Sequence, residues 1–258
     1  MQALLVSAIV FVGLFGGVCA GMFGARRLRE EHLSKETQEA VKLGVGMVAA
    51  MSSLILGLMT ASVKGNFDTT ARDVQQFATD LITLDVVLRT YGPGADDARK
   101  GLIAYTQRML ETTWSGGQAG PHENGSDASR GTPSEGLLEA VGRQIRSLAP
   151  ATPVLSELRA EALDRYKAIA ILRWTVAAES VTTVPPVFIA VLIVWLTLIF
   201  VSFGLFSPVN GVSLVVFFLC SVSLAGALFL ILEMSGPFDG IIRVPSDAMQ
   251  NALSQMLQ

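Results

Sequence analysis

The chain has 258 residues, 51% of them hydrophobic and 16% charged, with a formal net charge of −3. That apolar share, with a mean hydropathy of +0.50, exceeds ordinary globular usage, and no long basic run offers a footprint for a phosphate backbone, so nucleic acid is not an expected partner. Charges are absent from four long stretches and crowded into the rest, which is the segregation that membrane spans produce.

The first uncharged stretch, Ala3 to Phe23, covers about 30 Å at helical rise, the thickness of the hydrocarbon core. No lysine or arginine precedes Arg26, so the basic start of a cleaved leader is missing and an anchor is expected. Gly13, Gly17 and Gly21 recur every four residues, a spacing that lets helix backbones approach closely. The loop that follows, ARRLREEHLSKETQEAVK, mixes bases with acids. Ser34 stands where it would cap the next helix, with Glu36 in the first turn, where the helix dipole favours an acid.

Leu43 to Val63 is the second span, bounded by Lys42 and Lys64, with Ser53, Gly57 and Ala61 again at intervals of four. These stripes predict that the first two spans pack on each other or on neighbouring copies, with Gly13, Gly17, Gly21 and Gly57 as the packing residues. Beyond Lys64 the apolar positions become Val74, Phe77, Leu81, Leu84, Leu88 and Tyr91, a seam of alternating three and four that predicts the same helix running past the membrane surface. Gly92, Pro93 and Gly94 end it.

Ala98, Leu102, Tyr105 and Met109 mark a further amphipathic helix. A Gly-, Ser-, Pro- and Asn-rich stretch near 115–133 then reads as a mobile loop. Leu137, Val141, Ile145 and Leu148 mark a short helix. After Pro150 and Pro153 a longer one carries Leu155, Leu158, Ala162, Ile169, Leu172 and Val176 on one face. Pro185 and Pro186 break the chain before the third span, Val187 to Phe206, which turns tightly through 207–211 into the fourth, Val212 to Leu232. The expected class is an all-α membrane protein, four transmembrane helices in two pairs flanking a helical extramembrane bundle. Its parts are a first helix pair at 1–64, the bundle at 65–184, a second hairpin at 185–234 and a tail at 235–258.

Nothing in this pattern resembles an enzyme's site. His32 has Glu36 one turn away but no second histidine or cysteine near it, His122 is isolated, and no nucleophile elbow or phosphate-binding glycine loop occurs, so neither catalysis, nor a cofactor, nor a metal is expected. Glu233, closing the fourth span ahead of Asp239, is the unusual polar residue. It reads either as an interfacial side chain or as one member of a carboxylate ring at the mouth of an oligomeric pore. By the positive-inside rule Arg26, Arg27, Arg29, Lys35 and Lys42 favour the first loop in the cytoplasm and the middle region outside; Lys64, Arg72, Lys167, Arg173 and Arg243 give the same tally on the opposite side, so the preference rests on the first span alone.

Three segments, VKGNFDTTARDV, LDVVLRTYGPGADDARKGL and LEMSGPFDGIIRV, together resemble the bacterial membrane family of unknown function labelled bestrophin-like. That resemblance spans nearly the whole chain. It implies a likeness to bestrophins, pentameric anion channels whose large helical region is cytosolic, the reverse of the sidedness read from the first loop. The expectation is an oligomeric membrane protein that conducts ions. The alternative is a membrane-anchored scaffold or sensor that binds a protein partner through its helical bundle. Ser52, Ser53, Thr60 and Ser62 along one continuous path would favour the channel, and an open Phe67 to Tyr91 seam the scaffold.

Overall fold

The structure is a computed structural model that describes residues 2–27, 35–114, 133–179 and 184–258. His32, His122, Ser34 as a cap and all of the loop near 115–133 except Pro133 lie outside the described residues. Eight α-helices appear among the described residues, and no strand: α1 (Gln2–Ala25), α2 (Lys35–Tyr91), α3 (Asp96–Trp114), α4 (Pro133–Ser147), α5 (Pro153–Glu179), α6 (Pro186–Phe206), α7 (Gly211–Met234) and α8 (Asp247–Met256). Four of them, α1, α2, α6 and α7, are long and apolar enough to cross a membrane. The protein is therefore an all-α membrane protein with four transmembrane helices and a helical extramembrane bundle.

Two compact units divide the chain. The first comprises Met1–Asn66, Thr182–Gly236 and Gly240–Ile242 and holds the spans. Its core joins Val10, Leu14, Val18 and Met22 of α1 to Leu192, Leu196, Ile199 and Phe200 of α6 and Leu228 of α7. Phe218 of α7 meets Phe11 and Phe15 edge-on at 5.5 and 5.6 Å. Lipid is as apolar as these side chains, so association rests on close packing rather than on escape from water. The tightest contact is glycine on backbone. A Cβ on Gly21 would fall on the Val201 carbonyl of α6, and one on Gly204 would fall on the Val18 carbonyl of α1. The tight connection between α6 and α7 is set by Asn210, whose side chain accepts from the Ser213 amide at 2.7 Å and caps α7.

The second unit comprises Phe67–Val181, Pro237–Asp239 and Arg243–Gln258. The seam of α2 is its centre: Val74, Phe77, Leu81, Leu84 and Leu88 are at most 3% exposed. They pack in one cluster with Leu102 and Tyr105 of α3, Val141 and Ile145 of α4, and Ile169 of α5. The seam is covered by the chain's own helices and is not an open face. Gly92 ends α2 by adopting φ +95°, a conformation other residues rarely take, and its carbonyl accepts from the Ala95 amide to start the next turn.

Helix α8 lies in a segment where the sequence reading expected only a tail. Met249, Ala252 and Met256, spaced three and four apart, are buried in the same cluster, and that spacing was the available signal.

Candidate functional site

The membrane stretch of α2 differs from the other spans in how little of it the chain covers. Only 6% of its apolar window is buried, against 28% for α1, 28% for α6 and 22% for α7. At 100° per residue its surface resolves into three faces. Val45, Val48, Ala49, Ser52, Leu56, Met59 and Val63 are buried or half-buried on one. Leu43, Met47, Met51, Leu54 and Leu58 form a second, bulky and 60–72% exposed. Gly46, Ala50, Ser53, Gly57, Thr60 and Lys64 form a third, exposed, small and polar.

The hydroxyls on this span therefore do not share one path. Ser53 and Thr60 lie on the small exposed face, and the Thr60 hydroxyl donates to the Leu56 carbonyl at 2.8 Å. Ser52 points inward, 3% exposed, and its Oγ has no hydrogen-bond partner among the described residues. Ser62 is exposed on the opposite flank of the helix from Thr60.

The glycine stripes separate in the same way. Gly17 and Gly21 of α1 abut Thr197 and Val201 of α6, so the partner of this stripe is the third span rather than the second, with Gly204 as its unforeseen counterpart. The spacing of glycines encodes a close approach but not the helix approached. A Cβ added at Gly13 or Gly57 would meet no neighbour within 4 Å among the described residues.

Glu233, at the end of α7, is 6% exposed, and its carboxylate accepts from the Ile241 amide. Gly240, at φ +87°, allows this, since a Cβ there would strike the same carboxylate. Glu233 thus closes the turn that follows the span. Asp239 is exposed.

The second unit buries two more carboxylates. Asp80 accepts from Gln76 Nε2 at 3.1 Å, with Arg165 Nη1 at 3.9 Å. Asp85, 1% exposed, receives Arg89 Nη2 at 2.6 Å and Arg99 Nε at 2.8 Å, so one carboxylate holds two guanidinium groups. Tyr105 is fully buried beside the ring of Phe77, at 6.4 Å and edge-on, and its hydroxyl has no partner among the described residues. Burial pushes its pKa well above the usual phenol value, and the positive charge of Arg173 pulls it partly back.

Comparison with known proteins places this architecture. The chain is similar to a bacterial bestrophin homologue from Klebsiella pneumoniae. To one tryptophan-to-alanine variant of it the identity is 16%, over 100% of this chain and 99% of that one, with a TM-score of 0.71. To the form phased on zinc the identity is 17%, over 95% and 96% of the two chains, with a TM-score of 0.66. A serine-to-alanine variant of a crystallised membrane protein shares 18% identity over 96% of each chain, with a TM-score of 0.65. Likeness at these identities speaks for the fold alone. No curated protein matches the chain. The model of the bestrophin-like domain matches residues 12–249, four spans and helical bundle together, and the chain belongs to the bestrophin-like family.

Proposed function

We propose that the chain assembles as a homo-oligomer in which the small, polar face of α2 from each copy surrounds an ion-conducting path. The observation that carries this reading is the exposed stripe of Gly46, Ala50, Ser53, Gly57, Thr60 and Lys64 on the least covered span of the chain. Lipid tails gain nothing from such a face, whereas small side chains let helices come close and hydroxyls offer oxygen atoms to a hydrated ion. The bulky face of Leu43, Met47, Met51, Leu54 and Leu58 then meets lipid or a neighbouring copy.

Reconstitution in liposomes, with potassium and chloride flux measured beside the oligomer mass, tests conduction. Lining is tested separately. In a background with Cys19 and Cys220 replaced by serine, Ser53→Cys should make the flux sensitive to a water-soluble thiol reagent. A conducting oligomer in which Ser53→Cys stays insensitive removes α2 from the path. Asp239, exposed after the fourth span, is the carboxylate we assign to the mouth in place of the engaged Glu233.

The membrane is a bacterial inner membrane in this reading, and the bases of the first loop support the bundle lying outside the cytoplasm. A phosphatase fused after Gln258 is active on that side and silent on the other. The scaffold reading loses one of its two motives, because the seam from Val74 to Leu88 is buried within the chain, and keeps the other, the lack of an obvious filter.

A further inference from the structure

Helix α8 has ten residues, fewer than the roughly 12–15 an isolated helix needs in water. It exists because it is docked. One face buries Met249, Ala252 and Met256, each at most 1% exposed. Its last turn, where unsatisfied carbonyls gather negative partial charge, meets two guanidinium groups. Arg99 Nη2 donates to the Met256 carbonyl at 2.5 Å, and Arg89 Nη2 approaches the Gln255 carbonyl at 3.5 Å.

Neither arginine belongs to α8, and both are set in place by Asp85. Only the carboxylate is buried, the Arg89 and Arg99 side chains being 46% and 27% exposed, so without it the two like charges would repel each other and turn outward to water. The other end of the segment is held at Trp114. Its indole donates to the Val244 carbonyl at 2.8 Å and meets the Phe238 ring edge-on at 5.6 Å, while Arg243 Nη1 donates to the Trp114 carbonyl at 3.4 Å. The remaining fully buried large side chains of the unit, among them Leu81, Leu84, Leu102, Ile145 and Ile169, come from α2 to α5.

We propose that residues 243–258 are a strap closed by Asp85 through Arg89 and Arg99, able to leave the bundle while α2 to α5 stay folded. The strap is a conformational device built into the extramembrane unit, and it stands whether or not the chain conducts ions.

Amide hydrogen exchange on the full-length protein in detergent tests this. In the unaltered chain, α8 should be protected. With Asp85→Asn, amides of α8 should exchange on the order of 100-fold faster, while those around Leu102 and Val141 change by less than about threefold. Equal acceleration throughout the unit, or none in α8, overturns the proposal. Should Asp85→Asn fail to fold, Arg99→Lys keeps the charge but loses the fork that reaches Asp85 and Met256 together. It should give the same selective loss at smaller size, and a uniform or absent change again overturns the strap.

Discussion

The first two spans carry the same kind of message in their sequences and use it differently. In α1 two of the three glycines of the repeat, Gly17 and Gly21, are packed inside the chain, with Gly21 against the backbone of α6 and Gly204 answering from the other side. In α2 a similar repeat, Ser53, Gly57 and Ala61, is left uncovered. Small residues spaced by four therefore mark a place where a helix can be approached, and only the surrounding packing decides whether the visitor is a neighbour in the same chain or another molecule.

Substitutions that fill the two stripes separate these uses. Gly21→Leu puts a side chain where a carbonyl already sits, and should cost about 3 kcal/mol or more, read as loss of a folded, monodisperse peak after mild heating in detergent. Gly204→Leu should do the same from the opposite helix. If either variant keeps wild-type thermal stability, the glycine contact is not what joins α1 to α6.

Glu233 offers a middle-sized effect. Glu233→Gln keeps an acceptor for the Ile241 amide and loses only the charge, so stability should fall by about 1 kcal/mol, with single-channel conductance and selectivity unchanged. A changed selectivity would return Glu233 to the pore mouth.

The spans were legible in the sequence because charge is excluded from them and helical rise fixes the length needed. The seam from Val74 to Leu88 was legible because its period is regular. The partner of Gly21 was not, since periodicity within one helix carries no phase relative to another. Nor was the role of Glu233, which depends on an amide eight residues on, brought back by a glycine at positive φ. The Asp85 cluster was hidden for a different reason. Arg99 and Met256 are 157 positions apart, and nothing local in either segment announces the other.

Tyr105 tests the second unit more gently. Its buried hydroxyl lacks a partner among the described residues, so Tyr105→Phe should leave stability unchanged or raise it by about 1 kcal/mol in chemical unfolding. Because the folded chain holds this phenol neutral above its ordinary pKa of about 10, its contribution is complete below that pH and is lost as pH climbs beyond it. Tyr105→Phe should therefore unfold less readily than the unaltered chain in alkali, and identical alkaline profiles would show that the phenol does not limit it. The smallest effect on folding is expected at Gly57, where an added Cβ would meet no neighbour among the described residues. Gly57→Leu should shift thermal stability by less than about 0.5 kcal/mol while reducing ion flux or oligomer mass. Unchanged flux and mass would mean that the uncovered stripe of α2 simply faces lipid.

The bond from the Thr60 hydroxyl to the Leu56 carbonyl commits its hydrogen to the helix itself. What remains on the outer side is oxygen, which can accept a hydrogen bond and has none to give. In the ion path we propose, a water molecule resting on Thr60 would turn a hydrogen toward it, and its dipole would be oriented before an ion arrives.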